Sequence, residues 1–313
     1  MSAMNSRQAQ VIDPILTTQA RGYTNAEFIA HRVLPFSDIP NRSMRAIKFG
    51  KESFRRYNTR RAPGAETQRV QFGYAADPVS MKQEALEALV PDEIRADASG
   101  VPGIDLASIS INAVQDIIGL GREADTAALV LNAANYDNNH KLALAGTDKW
   151  TDPDSDPGAA IRAARENIRR SIGRYPTVLS IGADVFGGLT AHPKVKEQFK
   201  YTSSESVTAA MLARYFDLEE VIVGKAVVLS DTAADTDLAD DVWGHDALLF
   251  YRAPAGSNFM IPAFGYTYRL SGYPLVEQPY YERSRKSWIY PITEEFQPQL
   301  TGSEGGFLFK GAA

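Results

Sequence analysis

The chain has 313 residues, 44% of them hydrophobic and 23% charged, with a net charge of −5 and no cysteine. That composition belongs to a folded chain burying a substantial core in one to three domains; it excludes global disorder, disulfides and thiolate metal sites, and argues against a dedicated nucleic-acid binder. Unbroken apolar runs reach only about five residues, against the roughly 18 needed to span a bilayer, and the opening MSAMNSRQAQ lacks a signal-peptide apolar stretch, so the chain reads as cytosolic when made.

Residues 1–35, polar and weakly periodic as far as Pro35, read as an extended arm with one short helix at 25–33. A strand-like run follows (Ile47, Phe49, Phe54, Tyr57), then a turn through Pro63 and Gly64, then Val70, Phe72 and Tyr74 in alternation, so the pattern predicts a long β-hairpin with a basic tip. Such a ribbon has too few apolar side chains to hold a core of its own and needs a cover. Residues 83–97 predict a short helix broken by Pro91. Asp105 is placed to cap a helix over about 105–135, with Leu106, Ile109, Ala113, Ile117, Leu120, Ala124, Ala127, Ala128 and Leu131 at spacings of three and four. At roughly 45 Å this is the longest element, a spine. Its middle holds Gly119 and Gly121, which read as a candidate hinge, with close packing of another group as the plainer explanation.

Asp156 and Pro157 open the next helix, whose stripe is Ile161, Ala164, Ile168 and Ile172 and whose stop is Gly173. YPTVLSIG predicts a buried strand, DVFGGLTAH a short helix, PKVKEQFKY another turn or two, and TSSESVTAAMLARYF a helix entered through a Thr202/Glu205 capping box. EEVIVGKAVVLS predicts two apolar strands around Gly224-Lys225, and DALLFY a buried strand. Long Tyr- and Pro-rich strands fill 259–292, and FLFKGA closes the chain as a last short strand. Helices and strands without regular βαβ alternation make the class α+β.

Charge is unevenly spread. Between Arg42 and Arg69 nine basic residues stand against Glu52 and Glu66, a balance of +7; between Asp217 and Asp246 nine acids stand against Lys225, a balance of −8. A chain with surfaces of both signs can attract copies of itself. The basic candidates for such a contact are Arg55, Arg56, Arg60, Arg61 and Arg69; the acidic ones are Asp217, Glu219, Glu220, Asp240 and Asp241.

Templates for catalysis fail. His31, His140, His192 and His245 have no metal-ligand spacing and read as isolated turn or surface residues. Asp152, Asp154 and Asp156 imitate a calcium loop, but Pro157 and Ala163 stand where a glycine and a closing glutamate are required. Gly119-x-Gly121 lies inside a helical pattern without a third glycine, and phosphate-binding and nucleophile-elbow motifs are missing. The expectation is a non-enzyme without cofactor or metal.

Taken in order, KFGKESFRRYNTRRAPGAETQRVQFGY, VPGIDL, GTDKWTDPDSDP, GRYPTVLSIGADVFGGLTAHPKVKEQFKYTS and VWGHDALLFY resemble the major capsid proteins of tailed bacteriophages, over about residues 15–311. The resemblance implies the Hong Kong 97-like fold: an N-terminal arm (1–35), an extended loop (36–82) lying over an adjacent subunit, a peripheral domain with the spine helix (83–145 and 259–300), and an axial domain (146–258 and 301–313). It implies self-assembly as hexamers and pentamers into an icosahedral shell enclosing double-stranded DNA held non-specifically. The implied helpers are a separate scaffolding protein and a portal, with the presence of a decoration protein left open; no membrane is involved. Two other readings stand beside it: an encapsulin-like nanocompartment shell, and a nucleic-acid-binding protein using the Arg-rich hairpin with Phe54, Tyr57, Phe72 and Tyr74 as stacking groups.

Overall fold

The computed structural model describes residues 12–48, 60–64, 66, 67, 69, 75–99, 105–199, 206–230, 232–234, 236–254 and 263–313. The chain begins with α1 (Pro14–Gly22), α2 (Ala30–Val33), β1 (Phe36–Ile39), β2 (Ser43–Lys48), β3 (Ala75–Ser80) and β4 (Lys82–Pro91). Then come α3 (Asp92–Ser99), α4 (Leu106–Val130), β5 (Lys141–Ala143), α5 (Pro157–Ile172), β6 (Val178–Gly182), α6 (Ala183–Ala191), α7 (Pro193–Phe199) and α8 (Ala209–Tyr215). The remainder is β7 (Glu220–Gly224), β8 (Val227–Val228), β9 (Asp240–Asp241), β10 (Ala247–Phe250), β11 (Gly265–Leu270), β12 (Leu275–Val276), β13 (Tyr280–Glu282), β14 (Ser287–Leu300) and β15 (Gly306–Lys310).

Two mixed sheets organise these elements. The first is built on β14, whose fourteen residues pair with β11 at one end, with β12 and β13 further along, and with β4 over ten residue pairs from Ser287↔Pro91 to Phe296↔Lys82. β1 extends it by parallel pairing with β11. The second has the order β5-β15-β10-β6-β7. Its middle strands are buried throughout, as short apolar runs covered on both faces must be. On one face lie Ile161, Ala164, Ile168 and Ile172 of α5 against Leu179, Ile181, Leu249 and Phe309. On the other lie Ile29, Val33 and Leu34 of the arm, Ala127 and Val130 of α4, and Trp243. The spine helix α4 therefore serves both sheets: its far end covers the second, while Ile111, Val114 and Ile118 pack on Tyr290, Ile292 and Phe296 of the first.

α5 forms where its signals put it: Asp156 accepts from the Ala159 N–H, Pro157 needs no N–H partner at that position, and Gly173 ends the helix at φ 70°. Asp105 caps α4 through the Ala107 N–H, and the helix runs unbroken to Val130.

Several expectations are corrected. The arm holds a helix at α1, where Asp13 accepts from the N–H groups of Ile15 and Leu16 and Pro14 occupies the first turn; only Ala30–Val33 of the expected 25–33 helix is helical. Residues 82–91 are a strand, not a helix, because ten pairs with β14 outweigh the helical propensity of Glu, Ala and Leu. The strands expected around Gly224-Lys225 do not pair with each other: β7 pairs with β6 in parallel, and β8 pairs with β9. Thr202 and Glu205 lie outside the described residues, and within those residues α8 is capped by Thr208.

His140 and His192 are buried rather than surface residues. His140 Nδ1 lies 2.6 Å from Asp137, and His192 Nε2 is within 3.1 Å of the Ser155 hydroxyl. Asp152 turns back on its own backbone, accepting from the Asp154 N–H. Among the described residues no group of three or more His, Asp or Glu could hold a metal ion, and no helix is long and apolar enough to cross a membrane.

One residue joins arm, spine and second sheet. Glu123, fully buried on α4, accepts from the backbone N–H groups of Ile29 and Ala30 at 2.8 Å and from the Trp243 indole at 2.7 Å. Burial pushes its carboxyl above the usual range despite those three donors. Glu123→Ala is expected to cost on the order of 3 kcal/mol, since it leaves buried donors unsatisfied. Denaturant unfolding measures the loss, and faster amide exchange at Ile29 and Ala30 would place it at the arm.

Candidate assembly surfaces

The two strands of the hairpin root pair from Ser43↔Ser80 to Lys48↔Ala75. Ala46 and Val79 are buried there against Ile39, Tyr266 and Tyr268, so the cover that the ribbon lacks in its own composition comes, at the root, from β1 and β11. Arg55 and Arg56 lie outside the described residues; Arg60, Arg61 and Arg69 are exposed beyond the root.

Arg42, one of the nine basic residues of this segment, has an internal role. It makes two 2.8 Å bonds to the carboxylate of Glu295 on β14, which also accepts from the Tyr273 hydroxyl at 3.0 Å. The preceding residue, Glu294, projects from the opposite face of the strand, as successive residues must. It receives Arg122 of the spine helix, with both of its oxygens at 3.2 Å. The Arg122 guanidinium is flanked by the rings of Phe36 and Phe296, at 4.9 and 5.6 Å. Two adjacent carboxylates thus hold the loop root on one face of the sheet and the spine on the other.

Of the acidic candidates, two are engaged within the chain. Asp217 pairs with Arg165 at 2.5 Å while remaining largely exposed. Glu220 lies between Arg32 of the arm, with which it makes a short contact, and Arg252 at 3.0 Å. Burial works upward on its carboxyl, but the bonds and charges of Arg32 and Arg252 outweigh it and hold the group below the usual range. Glu219 is exposed, as are Asp240 and Asp241 on β9. The structure therefore leaves Glu219, Asp240 and Asp241 at the surface and gives Glu220 to an arm clamp.

The two spine glycines differ. A Cβ on Gly119 would lie 2.9 Å from the Phe28 ring, whereas one on Gly121 would meet nothing within 4 Å. Close packing accounts for Gly119. Gly121→Ala is expected to stabilise the subunit by about 0.5–1 kcal/mol, and Gly119→Ala to destabilise it unless the Phe28 ring shifts. Equilibrium unfolding of the two single variants reads both signs.

The clamps also set the response to acid. The Arg42 bonds hold Glu295 below its ordinary range, the same direction as Glu220. A carboxyl lowered in the folded state contributes stability that is complete above about pH 4.3 and is lost as pH falls through the folded value. Stability is therefore expected to drop below about pH 4, and Arg42→Ala, which strips Glu295 of its cation, is expected to flatten part of that dependence. Unfolding midpoints from pH 3 to 7 for both chains measure it.

Residues 132–263 match the family model described as phage major capsid protein E. The chain is 33% identical over 307 residues to the major capsid protein of Burkholderia phage BcepMu, covering 96% of this chain and 97% of that protein. It is also similar to the crystal structure of a phage-related protein from Bordetella bronchiseptica RB50, with 42% identity, a TM-score of 0.84, and coverage of 97% of this chain and 99% of that one. The capsid structure of cyanophage P-SCSP1u shares the fold at 9% identity and a TM-score of 0.56, over 89% and 86% of the two chains.

Proposed function

The chain belongs to the family of tailed-bacteriophage major capsid proteins, with the Hong Kong 97-like α+β fold, and from that premise we propose how its surfaces build the shell. It is a structural protein of the virion that associates with copies of itself. In our reading, hexamers and pentamers close an icosahedral shell around double-stranded DNA. Residues 36–82 reach over an adjacent subunit, 83–145 with 259–300 make the peripheral domain, and 146–258 with 301–313 make the axial domain. A separate scaffolding protein and a portal complete the particle, which assembles in the host cytoplasm.

The observation that carries this reading is the two-sided anchoring of β14. Arg42 fixes the root of a strongly basic loop while Arg122 fixes the spine, so charge concentrated on the loop is presented on a rigid base. Rings of subunits need head-to-tail contacts that close by rotation, and a basic loop meeting an acidic surface of the next copy is such a contact. Exposed Glu219, Asp240 and Asp241 suit the acidic side.

Replacing Arg55, Arg56, Arg60 and Arg61 by Glu reverses four loop charges. The expected outcome is a folded subunit, with unchanged circular dichroism, that no longer forms closed particles in negative-stain micrographs. Normal particles would reduce the basic loop to a solvated surface.

A further inference from the structure

The spine helix is apolar on two sides. Ile111, Val114 and Ile118 face the first sheet, but Ile109 and Ile117 remain 55% and 60% exposed on the side turned away from it. Between and beyond them along the same i, i+4 line come Ala113 and Gly121, both exposed. The exposed line therefore reads Ile109, Ala113, Ile117, Gly121: large, small, large, small, without a charge. An apolar line left outside the core gains burial only against a partner.

We propose that this line is a contact between two copies of the chain, their spine helices antiparallel about a two-fold axis that crosses the line midway between Ala113 and Ile117. This deepens the capsid reading and rests on it. In that register Ile109 of one copy meets Gly121 of the other and Ala113 meets Ile117, and symmetry supplies the reverse pairs. Every isoleucine falls opposite a small residue, as ridges packing into grooves require. Gly121 adds the space: nothing lies within 4 Å of where its Cβ would stand.

Two considerations select a second copy as the occupant. The line from Ile109 to Gly121 is about 18 Å long. One helix face of that length falls well short of the roughly 800 Å² per partner typical of a stable, free-standing complex. A copy already held by other shell contacts needs no more. Charge points the same way: copies of a chain with net charge −5 meet most easily where neither presents a charge, and the cores of interfaces are depleted in charge.

The chain has no cysteine, so introduced thiols are the only ones. Ile109→Cys and Gly121→Cys variants, mixed before assembly and then oxidised, are expected to give several-fold more disulfide-linked dimer than either variant alone. In the antiparallel register two 109 positions lie about 18 Å apart, and so do two 121 positions, beyond the roughly 7 Å between Cα atoms that a disulfide spans. Mixed particles of normal form without that excess would overturn the contact. Absence of particles from the unmodified chain assembled with its scaffolding protein would instead overturn the capsid reading beneath it. Gly121→Leu tests the contact without thiols: with its fold verified by circular dichroism, it is expected to lose closed particles, and normal particles from it would reject the pairing.

Discussion

The fold depends on a carboxylate placed where no water reaches it. Glu123 ends the separation between three parts of the chain that are far apart in sequence: the arm at Ile29 and Ala30, the spine helix that carries the glutamate, and Trp243 beside the second sheet. An isolated charge there would be prohibitive; a charge with three aimed N–H donors is tolerable, and each donor in turn needs the carboxylate. The arrangement is mutual, so arm, spine and sheet are positioned together or not at all. It also fixes where the two-sheet body divides, because α4 passes from one core to the other at this residue.

A second pair of carboxylates organises the other half. Glu294 and Glu295 are neighbours in sequence and opposites in space, and each draws an arginine from a different element. Arg122 is sandwiched by aromatic rings as well as paired, so its planar group is oriented before any neighbour arrives. Arg42 is mostly exposed, yet its partner is not. That asymmetry makes the loop root a place where surface events reach a buried group.

Much of the fold was legible because its signals are local. Asp156, Pro157 and Gly173 mark both ends of α5, and the run VLSIG can only be a buried strand. Asp13-Pro14 carries the same start signal for α1 and could have been read. β4 could not: QEALEALVP is a good helix sequence, and only ten partners on β14, some two hundred residues away, make it a strand. On the spine, periodicity found the stripe containing Ile109, Ala113 and Ile117, whereas the core uses Ile111, Val114 and Ile118. With apolar residues on both sides, spacing alone cannot say which is inside. The charged clamps were invisible for a related reason. Nothing in the neighbourhood of Glu123, Glu294 or Glu295 announces a partner, and the nine-residue basic count included Arg42, which the structure spends inward.

The path of the chain from loop to sheet has a mechanical consequence. The loop's returning strand, β3, passes through Met81 straight into β4, and β4 lies along β14 for ten residue pairs. Tension on the loop is therefore directed along the axis of β4, not across it. Hydrogen bonds loaded in that direction share the force and must fail together, whereas a strand peeled from its end gives way one rung at a time. The long ladder thus acts as a shear joint, able to carry load from the loop into the body without opening the core beneath it.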